Sequence, residues 1–115
     1  MKNAAAIPDA AAFKTRVLDE TAAPTVAIFY AQWCPYCRRF LPTFEELALQ
    51  YGDSMRFFSV DVDACPDLEA RQQVGLIPTV IVFDHGSEVA RWANEQSRQP
   101  YVQAFDALLA HRRVA

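Results

Sequence analysis

Cys34 and Cys37 are separated by Pro35-Tyr36; an apolar run ending at Tyr30 leads into the pair and a helical pattern leads out of it. Two cysteines at this spacing close a small disulfide ring when the backbone turns tightly, and the first turn of a helix supplies that turn. Pro35 suits the first helical position, where a missing N–H costs nothing. Cys34 then falls at or near the N-cap. Unpaired backbone N–H groups and the positive end of the helix dipole there favour a thiolate over a thiol, which makes Cys34 the attacking sulfur. Cys37, one turn further in and covered by its own helix, is the resolving thiol that closes the ring and expels a reduced partner. With proline at 35 rather than 36, the N–H of Tyr36 is free to join that of Cys37 in pointing at Cys34.

Half of a zinc site and a pair of inert core cysteines are the competing readings. A structural zinc takes four ligands, commonly as two close pairs, and the remaining donors, Cys65, His85 and His111, are singly placed. The strand-to-helix context is that of a redox pair, so no metal or other cofactor is expected. Cys65, in Asp63-Ala64-Cys65-Pro66, has no cationic neighbour to activate it and is expected to be a bystander. His85 and His111 are expected in solvent. Arg38 and Arg39, within a turn of the site, are either a solvated helix face or help for a Cys34 thiolate and a greeting for acidic partners.

The elements that must position the pair are legible from periodicity. Ala4 to Ile7 is a weak edge strand, and Pro8-Asp9 opens a helix carrying Phe13, Val17 and Leu18 that ends near Asp19 to Thr21. Thr25 to Tyr30 is a near-continuous apolar run, the pattern of a strand buried on both faces. The helix after the cysteines reaches about Tyr51, with Phe40, Phe44, Leu47, Ala48 and Tyr51 on one stripe, Gly52 as its stop, and a kink at Pro42. Arg56 to Val62 is a second strand. A short helix follows, with Leu68 and Val74 inward and a stop at Gly75. Thr79 to Phe83 and Glu88 to Ala93 flank the turn Asp84-His85-Gly86 as an antiparallel hairpin, and Pro100 opens a last helix with Tyr101, Phe105, Leu108 and Leu109 inward. The order implies an α/β fold, with a mixed sheet of four to five strands and about four helices on its two faces.

With 115 residues, 52% of them hydrophobic, the chain suits a single domain, 1–115. A net charge of −3 offers no basic field for nucleic acid or an anionic membrane surface, so proteins or small thiols are the expected partners. There is no signal-peptide pattern and no membrane span, and three cysteines do not make a secreted disulfide framework; a cytoplasmic monomer is expected.

Through Trp33-Cys34-Pro35-Tyr36-Cys37, Pro42 in the following helix, Ile77-Pro78-Thr79 before a strand and Phe83-Asp84-His85-Gly86 at the hairpin, the chain resembles the thioredoxin family over nearly its whole length. The resemblance implies the thioredoxin fold, a cis Ile77-Pro78 bond beside the disulfide, and reduction of protein disulfides through a Cys34 mixed disulfide resolved by Cys37. It also implies a substrate surface of Trp33, Pro35, Tyr36, Leu76, Ile77 and Pro78, with electrons drawn from a thioredoxin reductase.

The departures carry alternatives. C-P-Y-C is similar to glutaredoxin, which would make glutathione the electron donor, although the Gly-Gly plus acidic glutathione signature is missing. A non-catalytic subunit that merely holds partners in the Ile77-Pro78 groove is the reading from another class, and the intact cysteine pair opposes it. Where the family usually buries an aspartate and a nearby lysine behind the site, this chain has Ile28 and Ser59, so neither partner is left as an unpaired charge. Leu76 replaces a small residue before Ile77-Pro78 and narrows the groove. Asn94 stands where the family favours glycine, being the next best residue for a left-handed backbone.

Overall fold

The computed structural model describes residues 1–114. Its elements are β1 (Ala5–Ala6), α1 (Ala10–Phe13), β2 (Thr25–Tyr30), α2 (Pro35–Tyr51), β3 (Arg56–Asp61), α3 (Pro66–Arg71), β4 (Thr79–Asp84), β5 (Ser87–Ala93) and α4 (Gln99–Val114). The sheet runs β1-β3-β2-β4-β5. β1 and β2 flank β3 in parallel, while β4 pairs antiparallel with both β2 and β5. The mixed sheet with helices on both faces is thus the expected architecture, with five strands and four helices.

Alternation along β2 explains both layers. Ala27 and Phe29 point to the face covered by α1 and α3, where the rings of Phe13, Phe29 and Phe83 meet edge to face. Val26 and Ile28 point to the other, under Phe40 and Phe44 of α2 and Tyr101 and Phe105 of α4. Every residue of β2 from Thr25 to Phe29 is buried, which is why the run lacks the polar alternation of a half-exposed strand. β1 is a strand of exposed alanines, yet its flanks Ala4 and Ile7 are buried, and the Ile7 N–H donates to the Ser59 carbonyl at 2.9 Å.

Asp9 caps α1, its Oδ1 accepting the Ala12 N–H at 2.8 Å. The helix then widens into a π-helical turn, Lys14–Leu18, closed by the Asp19 N–H on the Lys14 carbonyl at 2.8 Å. Pro42 lies inside α2, leaving the Arg38 carbonyl without its helical donor. Gly52 ends α2 as expected, but with a right-handed φ of −62° rather than a left-handed cap. The stop expected at Gly75 falls earlier. α3 ends at Arg71, and the left-handed residue is Gln73, φ 56°. Arg91 of β5 explains this: its guanidinium donates to the carbonyls of Gln72 and Gln73 at 2.7 and 3.2 Å, satisfying the helix end from across the fold.

The hairpin turns through His85 and Gly86, both at positive φ (52° and 78°), the geometry that matches strand twist. A Cβ on Gly86 would stand 2.2 Å from the Leu18 carbonyl oxygen, so the turn and the π-helical turn are packed backbone to backbone. Gly86→Ala is therefore expected to cost about 2 kcal/mol or more, the left-handed penalty plus the displacement of Leu18. Urea denaturation reads this directly, and a variant as stable as the parent would refute the close packing.

Candidate active site

In a sheet whose crossovers leave in opposite directions, the loops beyond the carboxyl ends of parallel strands meet in a crevice. β2 and β3 end at Tyr30 and Asp61, and the loops after them bring Trp33-Cys34 and Val62-Asp63 together. The loop before β4 brings Gly75-Leu76-Ile77 to the same place, with Ile77-Pro78 in the cis form. Their groove, of about 480 Å³, is lined by Trp33, Cys34, Pro35, Tyr36, Val62, Asp63, Glu69, Gly75, Leu76 and Ile77. All but one of the residues expected to contact substrate are on its wall. The exception is Pro78, which is buried beneath it.

Cys34 is the N-cap of α2 and Pro35 its first residue, as the spacing requires. The Cys34 side chain is 4% exposed, and its Sγ accepts the Cys37 N–H at 3.2 Å and lies 3.9 Å from the Ile77 carbonyl. The second donor expected from Tyr36 makes no hydrogen bond to the sulfur among the described residues; the cap is closed by Cys37 N–H. Cys37 has no exposed surface. Burial, reinforced by hydrogen bonding to Cys34, pushes its thiol up to about 12, so it holds its proton where Cys34 meets the groove. Both thiols are free.

Three of the exposed large apolar side chains crowd this opening: Trp33 (63% exposed), Tyr36 (51%) and Leu76 (52%). Trp33 is tied to the loop after β3 by its Nε1, which donates to Asp63 Oδ2 at 2.8 Å, and it walls the groove beside Cys34. Arg39 is engaged elsewhere, its guanidinium 5.1 Å from the centre of the Tyr36 ring. Asp63 and Glu69 were not anticipated at the site. The one usable signal was the position of Asp63 just past the carboxyl end of β3.

Cys65 is away from the groove. It is 2% exposed, with Sγ near the carbonyls of Pro8 (3.4 Å) and Ile7 (3.7 Å), and burial followed by Asp67, Asp61 and Asp9 pushes its thiol up. Such a thiol is inert. Cys65→Ser is expected to keep disulfide reduction within about twofold, roughly 0.4 kcal/mol in barrier; a tenfold loss in an insulin assay would give this cysteine a role in turnover. His85 and His111 are exposed, and no cluster of metal-binding side chains occurs among the described residues.

A vicinal dithiol at a helix start, facing a cis-proline loop across an apolar groove on this sheet, defines the class of thiol–disulfide oxidoreductases. Comparison with known proteins takes this further. The Thioredoxin family profile matches residues 5–107. Thioredoxin 1 of Synechococcus elongatus is 37% identical over 89 residues, 77% of this chain and 81% of that one. Thioredoxin C-2 of Corynebacterium nephridii is 30% identical, covering 82% and 86%. The X-ray structure of Fasciola hepatica thioredoxin superposes with a TM-score of 0.81 at 26% identity, covering 90% of this chain and 97% of that one. The chain belongs to the thioredoxin family. It is a protein-disulfide reductase, and its substrates are protein disulfides.

Proposed function

We propose that Cys34 attacks and Cys37 resolves. The Cys34 thiolate bonds to one sulfur of a substrate disulfide; that S–S bond breaks, and the other substrate sulfur leaves and takes a proton. Cys37 then gives up its proton to solvent and attacks Cys34 Sγ, forming the Cys34–Cys37 disulfide and releasing the second substrate thiol. Two electrons pass from the dithiol to the substrate. The observation that carries the assignment is that, of these two buried cysteines, Cys34 lines the groove and Cys37 does not. Trp33, Pro35, Tyr36, Leu76 and Ile77 bear on the substrate chain, with Pro78 shaping the loop from below.

The electron donor in this reading is a thioredoxin reductase rather than glutathione, in a reducing cytoplasm and with the chain acting as a single-domain monomer. The groove supports the first choice. Its charged lining residues are Asp63 and Glu69, both carboxylates, and glutathione brings two carboxylates of its own. No helix among the described residues is long and apolar enough to cross a membrane. A coupled assay tests the donor: insulin reduction driven by NADPH and thioredoxin reductase is expected to exceed that driven by glutathione and its reductase by at least about tenfold, a difference of about 1.4 kcal/mol. Equal rates would refute the preference, and a faster glutathione-driven rate would move the donor to glutathione. Reduction with neither would favour the non-catalytic reading.

A further inference from the structure

The loop after β5 reaches back to the active-site helix. Asn94, in the left-handed region at φ 56°, donates its N–H to the Pro78 carbonyl at 2.7 Å. Two residues on, the Gln96 Nε2 donates to Asn94 Oδ1 at 2.9 Å and to the Tyr36 carbonyl at 3.1 Å. That carbonyl belongs to the peptide group whose N–H is that of Cys37, the donor to Cys34 Sγ at 3.2 Å. One amide plane therefore carries both bonds. Its oxygen receives a proton donor from Gln96 and its nitrogen offers one to the attacking sulfur.

Hydrogen bonds in such a chain polarise one another: a donor on the carbonyl oxygen withdraws electron density from the amide and strengthens its N–H as a donor. The gain is largest where the acceptor carries charge, because charge-assisted bonds are about twice as strong as neutral ones. A carbonyl oxygen has two lone pairs, so Gln96 adds to the helical bond at Tyr36 without replacing it. We propose that Gln96 is a positioning residue that acts through the Tyr36–Cys37 peptide group to stabilise the Cys34 thiolate. Asn94 orients it, and the same loop anchors the Pro78 backbone, so the two walls of the groove share one brace. The proposal deepens the Proposed function and rests on its assignment of Cys34 as the attacking sulfur.

Strengthening a charge-assisted bond by about 10–30% multiplies the thiolate population by about 1.5 to 4. The test is the rate at which iodoacetamide labels Cys34 in the reduced full-length protein at pH 6.5, followed by peptide mapping. Gln96→Met, which keeps the length of the side chain without its donor, and Gln96→Ala are each expected to slow labelling about 1.5- to 4-fold. A glutathione redox titration should shift toward the oxidised form by a similar factor. Asn94→Gly, which keeps the left-handed backbone and removes the orienting oxygen, is expected to act in the same direction more weakly. All three should melt as the parent does, since Gln96 and Asn94 are only half-buried. Parental labelling rates in both Gln96 variants, or losses that merely track unfolding, would overturn the relay while leaving Cys34 as nucleophile. Label appearing on Cys37 ahead of Cys34 in the parent would overturn the assignment beneath it, and the relay with it.

Discussion

Cys34→Ser is expected to abolish disulfide reduction, by at least about a thousandfold or roughly 4 kcal/mol in barrier, because a serine hydroxyl neither ionises near neutrality nor displaces sulfur from a disulfide. Cys37→Ser should be as inactive in turnover but for the opposite reason. Its Cys34 still attacks, and the mixed disulfide then persists for want of a resolving thiol. Non-reducing gels and mass spectrometry of the trapped adducts separate the two variants, and adducts carried by Cys37 in the Cys34→Ser protein would reverse the assignment. The pH dependence follows from burial. Cys37 holds its proton up to about 12, whereas a thiol in the unfolded chain ionises near 8.5. Between those values the unfolded chain has released a proton that the folded one retains, so the reduced protein should lose stability as pH rises above about 9. Iodoacetamide should accordingly spare Cys37 across neutral and mildly alkaline pH.

Ile28→Asp is expected to be the most disruptive change outside the cysteines. Ile28 has no exposed surface and lies among Phe40, Phe44, Val80 and Val82, so the substitution removes an apolar side chain and buries a carboxyl without a partner. The combined cost at pH 7 is about 4 kcal/mol or more. The carboxyl would resist ionisation in the folded state. Its raised value means that the charge-related part of the cost is absent below the unfolded carboxylate's ~3.9 and grows as pH rises above it. Ser59, 3% exposed, is the register partner of Ile28 on β3, where neighbouring strands are about 4.8 Å apart. Ile28→Asp/Ser59→Lys should therefore recover about 1–3 kcal/mol relative to the sum of the single variants. Urea melts of the four proteins give the coupling directly. Strict additivity would show that the paired charges do not meet at this site.

Much of the machinery was legible because the signals were local. The apolar run Thr25–Tyr30, the proline one residue past Cys34 and the stripe through Phe40, Phe44 and Leu47 specify a strand, a helix start and a buried helix face, each within a few turns of chain. The placement of Cys34 at the cap and Cys37 inside the first turn follows from the same helix start. Asn94, expected to be left-handed from its place where the family favours glycine, has φ 56°.

Contacts between residues far apart in sequence decided the rest. The end of α3 was misplaced at Gly75 because the group that satisfies its last carbonyls is Arg91, some eighteen residues on, and Arg91 is held in turn by Glu88 at 2.8 Å. The hairpin turn at Gly86 was legible locally, but its backbone packing against Leu18 at the end of the π-helical turn joins residues far apart in sequence. The acidic wall of Asp63 and Glu69 exists because β3 and α3 end beside the groove, and the Gln96 bond to Tyr36 spans sixty residues. By itself, then, the amino-acid sequence determined which two cysteines stand at a helix start and which helix presents them, since a motif and a helix cap are short-range objects. Which side chains wall the groove, and which side chain backs the Tyr36–Cys37 amide behind Cys34, were decided by the tertiary structure, because charge and hydrogen bonding act through space and the chain order does not record distance.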